Sequence, residues 1–168
     1  AAVVGICGGY QMLGQTLVDP LGVEGVPGNS TPGLGFLPVL THFGASKKTH
    51  LVRLRLANGQ RLTGYEIHVG ETTLLPGAVR LGDLIERSGQ PVHEPDGAAS
   101  IDGRIWGTYL HGIFANDAFR REWLCRLGWQ GSMAANTTQV DYDRLAYAVE
   151  AAIDWPRIAR LAGLEVFG

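Results

Sequence analysis

The chain is poor in cysteine, in charge and in long apolar runs. Two cysteines in 168 residues, Cys7 and Cys125, cannot form a disulfide scaffold. One stands in a glycine-rich turn and the other in a helical pattern. Both read as reduced thiols of a cytoplasmic protein. Lys and Arg number 14 against 16 Asp and Glu, a formal net charge of −2. That balance supplies no basic excess for a nucleic acid or an anionic membrane. No apolar run approaches the roughly 18–20 residues that span a bilayer, and the short apolar opening lacks the basic flank of a signal peptide. Neither phosphate-binding glycine pattern, G-x-G-x-x-G or G-x-x-x-x-G-K-[ST], is present.

What the chain has in plenty is glycine, 24 residues, about twice the usual ~7%. They cluster at turns, which predicts many tight strand connections. Ala1 to Ile6 is a short apolar run suited to a strand buried on both faces. Gly8 to Leu17 predicts a helix with Met12, Leu13 and Leu17 on one side. Val18 to Pro38, rich in glycine and proline, predicts a long surface loop. His50 to Leu56 alternates and is followed by Asn58-Gly59, a strong hairpin signal, with Arg61 to Val69 as the return strand. Thr72 to Leu75 adds a short strand. Ala98 to Ile101 and Arg104 to Leu110 flank a second hairpin signal, Asp102-Gly103, and the second arm ends at His111-Gly112.

A helix is expected from Asp117, with Phe119, Trp123, Leu124 and Leu127 as its apolar stripe and Gly128 as its stop. Gln130 to Thr138 is polar and expected to be mobile. Asp141 to Ile153 predicts a further helix with Leu145, Val149 and Ile153 on one face. Asp154 should cap the last one. No repeat or linker divides the chain, so one α/β domain is expected.

The chemistry concentrates at GICGGYQMLG, residues 5–14. A strand running into a tight turn and a helix places the turn residue at the carboxyl end of a sheet, where open α/β folds put their sites. Gly5-x-Cys7-x-Gly9 has the spacing of a G-x-S-x-G nucleophile elbow, with sulfur for oxygen. Bulky residues two positions either side would clash across such a turn. The following helix points N–H groups at the sulfur, which favours thiolate, and the Gly8 N–H suits an oxyanion. A buried structural cysteine is the plainer alternative. A nucleophilic thiol needs a base, and five histidines are available. His42, His50 and His93 read as surface residues. His111, at a strand end beside Gly112, has the position a base requires, or is satisfied by backbone. In YEIHVGET, Tyr65, Ile67 and Val69 share one face and Glu66 and His68 the other. The second face is either a polar pair lining a site or the wet side of an antiparallel strand.

GICGGYQMLG, PGLGFLPV, GYEIHVGET and DGRIWGTYLHGIFANDAFR, in this order from Gly5 to about Leu127, resemble the glutamine amidotransferase domain of the cobyric acid synthase family. The resemblance implies a class I-like, flavodoxin-type α/β domain with a mixed sheet flanked by helices. It implies Cys7 as nucleophile, His111 as general base and acid, and Gly8 as oxyanion donor. Gln11, Tyr65, Glu66 and His68 become candidate substrate-binding residues. Glutamine is the implied substrate, and no metal or cofactor is implied for this domain. Ammonia would pass to a synthetase domain that uses ATP and Mg2+. There it would amidate the b, d, e and g carboxylates of adenosylcobyrinic acid a,c-diamide, in cobalamin biosynthesis.

Two departures accompany the resemblance. Typical class I amidotransferases carry histidine-x-glutamate, whereas His111-Gly112-Ile113 has no such acid; Glu66 and Asp117 are the candidates to replace it. The family's P-loop synthetase domain and the first stretch of its amidotransferase domain precede the residues matched here. On that reading the chain is a fragment, inactive or poorly active alone. Two rival amidotransferase readings are a subunit that amidates the peptidoglycan precursor lipid II and a cobyrinic acid a,c-diamide synthase. A catalytically silent module of the same fold is the non-enzymatic one.

Overall fold

The computed structural model describes residues 1–131 and 138–163, with side chains described at 1–131 and 142–163. They form two compact units, residues 1–129 and 130–168. The first unit is a mixed, open eight-stranded sheet with helices, the α/β class expected. Strand β1 (Val3–Ile6) pairs in parallel with β8 (Ile105–Thr108), and β2 (Thr16–Asp19) in parallel with β4 (Val39–Leu56). The remaining pairings are antiparallel: β2 with β3 (Asn29–Pro32), β4 with β5 (Arg61–Leu74) and β6 (Val79–Arg87), and β7 (Gln90–Ala99) with β6 and β8. The order across the sheet is β1-β8-β7-β6-β4-β2-β3, with β5 on β4.

Both hairpins form where Asn58-Gly59 and Asp102-Gly103 predict them, and Gly59 and Gly103 both take positive φ. Several elements depart from expectation. Helix α1 (Gly8–Leu13) stops four residues early. Gly14 is extended, and Gln15 N–H donates to the Val39 carbonyl. The β-branched Thr16 and Val18 then pack as strand rather than helix. The buried face of α1 is Tyr10, Gln11 and Leu13, while Met12 is exposed. The supposed loop from Val18 to Pro38 contains the β2–β3 hairpin. Its turn is closed by the Asp19 carboxylate, which accepts from the N–H groups of Val23 and Glu24. Thr72 to Leu74 continues β5 past Gly70 instead of forming a separate strand. Strand β8 stops at Thr108, short of Leu110.

The core lies where β4, β5 and β6 meet β8. Val52, Leu54, Leu62, Leu84 and Trp106 are buried there with Ile113 and Phe119. Phe119 and Trp123 of α2 (Asp117–Arg126) set their rings edge-on to Trp106. Leu127 is exposed rather than part of that stripe, and Gly128, at positive φ, ends the helix as expected.

In the second unit, α3 (Thr138–Ala152) starts three residues earlier than Asp141, and Leu145 and Val149 are exposed. Asp154 caps α4 (Trp155–Ala162) by accepting from the Arg157 N–H. The polar stretch expected to be mobile falls largely on 132–137, outside the described residues. Among the described residues no helix is long and apolar enough to cross a membrane.

The turn between β1 and α1 is crowded on one side only. A Cβ on Gly5 would lie 2.6 Å from the Gly9 carbonyl oxygen, whereas a Cβ on Gly9 would have nothing within 4 Å. Gly5→Ala is expected to destabilise the fold by about 1–3 kcal/mol through forced backbone movement. Gly9→Ala, in an open helical position, should be neutral or stabilising by up to about 1 kcal/mol. Thermal melts of the two variants check this, and equal losses would contradict it.

Candidate active site

Cys7 follows β1 with φ 56 and ψ −117, a conformation non-glycine residues avoid. Such strain costs of order 1–3 kcal/mol and persists only where the surroundings over-determine it. Here they do. The Cys7 N–H donates to the Thr108 carbonyl at 3.0 Å, and its own carbonyl accepts the Gln11 N–H of α1. The thiol projects into a cavity of about 670 Å³ and donates to the Ile67 carbonyl at 3.3 Å. Gly8, Gln11, Asp19, Lys47 and His68 share the cavity wall. Gly8 has nothing within 4 Å of where a Cβ would stand, so the cavity side of the turn is open.

His111 lies three residues past β8, the parallel neighbour of β1. Its main chain pairs with Tyr65: His111 N–H donates to the Tyr65 carbonyl at 2.8 Å, and Tyr65 N–H returns a bond at 3.3 Å. The imidazole stacks on the Tyr65 ring, centroids 4.9 Å apart and planes 13° apart. Gly64 makes this approach possible, since a Cβ there would stand 2.2 Å from the His111 carbonyl oxygen. Thus β5 anchors the thiol at Ile67 and the histidine at Tyr65. Two residues of strand span about 6–7 Å. The His111 Nε2 is buried and has no hydrogen-bond partner. Burial, and after it the charge of His68, lowers the His111 pKa below its ordinary 6.5, which favours neutral imidazole, the form a base requires.

Glu66 and His68 are buried, 2% and 7% exposed, and Tyr65 is the half-exposed residue. The wet-face reading of this strand is therefore reversed. Leu62 was the available signal: it is a core residue with the same strand parity as Glu66 and His68. Glu66 Oε1 accepts from Arg87 Nε at 2.6 Å and Oε2 faces His68 Nε2 at 3.5 Å. Arg87 also grips Glu94 with both terminal nitrogens, 2.9 Å each. Burial alone would raise the Glu66 pKa. The hydrogen bonds and charges of His68 and Arg87 outweigh it and hold the carboxyl down at about 2. Both Glu66 oxygens are thus engaged away from His111. Asp117 pairs with Arg120 at the start of α2.

The Gln11 amide nitrogen donates to the Val69 carbonyl at 2.9 Å and to the Tyr109 hydroxyl at 3.1 Å. The Tyr109 hydroxyl also meets Thr72 Oγ1 at 2.6 Å. Asp96, buried, accepts from the Thr108 hydroxyl and the Tyr109 N–H, and burial raises its pKa. That link fixes the chain just before His111. Arg87, Asp96, Thr72 and Tyr109 escape sequence reasoning because their partners come from distant strands. Among the described residues no group of three or more His, Cys, Asp or Glu side chains is arranged to hold a metal ion.

Cys7 and His111 thus follow the carboxyl ends of the adjacent parallel strands β1 and β8. Residues 1–119 match the family model of the CobB/CobQ-like glutamine amidotransferase domain. The chain belongs to that family. It is similar to the cobyric acid synthase of Roseiflexus castenholzii, 51% identical over 156 residues, which cover 90% of this chain and 32% of that protein. The cobyric acid synthase of Herpetosiphon aurantiacus is 44% identical over 168 residues, 98% of this chain and 33% of that protein. That of Paracoccus denitrificans is 44% identical over 162 residues, 95% and 32% respectively. The amidotransferase-family chain thus spans about a third of the length of the curated relatives it matches.

The buried Glu66 makes this amidotransferase domain sensitive to acid in a defined way. Its carboxyl pKa is depressed from 4.5 to about 2 in the fold. Its contribution is therefore present above pH 4.5 and lost as pH falls toward 2. Glu66→Gln should lower the melting temperature at neutral pH and flatten its decline between those two pH values. A variant that declines as steeply as the parent would contradict the assignment.

Proposed function

We propose that Cys7 and His111 hydrolyse the side-chain amide of glutamine. The reading rests above all on the strained Cys7 thiol at the cavity, with an unpartnered buried His111 Nε2 anchored two residues away on the same strand. Cys7 gives its proton to His111, and the sulfur attacks the amide carbon. The Gly8 N–H donates a hydrogen bond to the developing oxyanion. His111 returns the proton to the departing nitrogen, releasing ammonia and leaving a γ-glutamyl thioester on Cys7. Water then attacks the thioester, His111 taking its proton and returning it to the sulfur, and glutamate departs. The cavity is within the size range of small-molecule sites. Lys47 and Glu24 on its wall offer charges of both signs to the carboxylate and amine of an amino acid. Tyr65 holds His111, and Gln11 joins the cavity wall to β5.

The names of the relatives extend the reading. Ammonia from this domain would feed a synthetase segment outside these residues. That segment would use ATP and Mg2+ to amidate the b, d, e and g carboxylates of adenosylcobyrinic acid a,c-diamide, giving cobyric acid in cobalamin biosynthesis. The relatives called cobyric acid synthase favour this product over lipid II.

The test uses diazo-oxo-norleucine, a glutamine-like electrophile, on the natural polypeptide that contains these residues. Labelling is expected at Cys7, absent in Cys7→Ser and weakened in His111→Ala. No labelling of the folded protein would favour a silent module. The lowered His111 pKa adds a pH prediction. Neutral imidazole is the working form, so kcat/KM for glutamine should rise with pH through a midpoint below 6.5 and level off by about pH 7. A midpoint above that range would contradict the role of His111.

A further inference from the structure

His68 is a histidine that the hydrolytic reading leaves without work, and its surroundings are unusual for an idle one. It lines the Cys7 cavity and stacks on the Tyr109 ring, centroids 3.7 Å and planes 15° apart. Its Nδ1 lies 3.0 Å from the Gly70 carbonyl and its Nε2 3.5 Å from the Glu66 carboxylate. A carbonyl and an ionised carboxylate can only accept. The closer contact requires Nδ1 to donate, and an imidazole whose Nε2 also donates, to the carboxylate it faces, is an imidazolium.

The charges behind it support that state. From the half-exposed Glu94 inward, the series runs Glu94, Arg87, Glu66, His68, alternating in sign. With His68 protonated the four sum to zero. With His68 neutral a net negative charge is left beside a buried carboxylate, which is costly. Lys47, Asp19 and Glu24 share the cavity wall with His68. Asp96 comes from β7, Tyr109 and His111 from the segment after β8, and Cys7 from the turn before α1. Lys48, opposite His68 on β4, is paired with Glu71.

We propose that His68 is a positioning residue, held as an imidazolium by Glu66, Arg87 and Glu94 so that a fixed positive charge lies on the cavity wall. That charge favours the thiolate of Cys7 and the neutral form of His111. It takes over the electrostatic bias that a six-residue α1 supplies only weakly. The assignment rests on the Cys7–His111 reading above. No proton passes through His68: the thiol proton goes to His111 and returns from it. The downward influence of the His68 charge on His111 is consistent with this arrangement.

The experiment measures the rate of Cys7 alkylation by iodoacetamide against pH in the natural polypeptide. This probe does not require glutamine to bind, so it fails independently of the glutaminase reading, which the glutamine-like electrophile tests. His68→Gln removes the charge and keeps a donor. It should slow alkylation roughly tenfold near pH 6.5 while leaving the high-pH plateau nearly unchanged, the signature of a lost thiolate bias. Glu66→Gln, which leaves His68 free to deprotonate, should shift the profile in the same direction. A folded His68→Gln protein whose profile superimposes on the parent overturns the proposal. A second measurement needs no variant to fold. The ring 15N resonances of His68 in the parent, at about pH 7.5, should both be those of protonated nitrogens. A neutral tautomer there overturns the proposal as well.

Discussion

The site depends on one short piece of backbone, the stretch of β5 from Gly64 to His68. Its main chain holds both residues of the proposed dyad in place, the Cys7 thiol through the Ile67 carbonyl and His111 through the bridge at Tyr65. The absence of a side chain at Gly64 lets the strand come close enough to do so. Alternation along the strand then sends Tyr65 outward onto the His111 ring and Glu66 and His68 inward. A histidine without the usual neighbouring glutamate is thereby fixed by stacking and by main-chain hydrogen bonds. That combination orients a ring without placing a negative charge beside it, which agrees with the lowered His111 pKa.

The rest of the fold serves to hold that stretch still. Arg87 from β6 and Glu94 from β7 anchor Glu66, and a buried carboxylate in such a network loses much if one partner is removed. Asp96 from β7 ties Thr108 and Tyr109, so the chain leaving β8 arrives at His111 in one conformation. Gln11 and Thr72 meet at the Tyr109 hydroxyl, which joins α1, β5 and the β8 exit. The strain at Cys7 is sustained by bonds at both its N–H and its carbonyl. Site and core are therefore one piece of packing, with the cavity on its open side.

Local signals were legible and remote ones were not. The elbow at Gly5 to Gly9, the turns at Asn58-Gly59 and Asp102-Gly103, the stop at Gly128 and the cap at Asp154 each depend on residues within a few positions, and each formed. The β2–β3 hairpin was hidden because Val18 to Pro38 looks like loop by composition, while its order comes from the Asp19 carboxylate closing the turn. Strands β6 and most of β7 carried weak alternation, and partners two strands away settle their pairing. The polar pair in YEIHVGET fits a wet or a buried face equally by sequence, because the Arg87 that neutralises Glu66 comes from another strand. His111 was found by its place at a strand end. What holds it came from residues more than 40 positions away in sequence.

The central claim is that Cys7 attacks glutamine under the control of His111, with β5 holding both. The most direct measurement is to mix the natural polypeptide with isotope-labelled glutamine, quench in acid and map labelled peptides by mass spectrometry. The account predicts a γ-glutamyl group in thioester linkage on Cys7, lost on treatment with hydroxylamine. Glutamine turnover by the folded protein with the label on another residue, or in a Cys7→Ala variant, would contradict it.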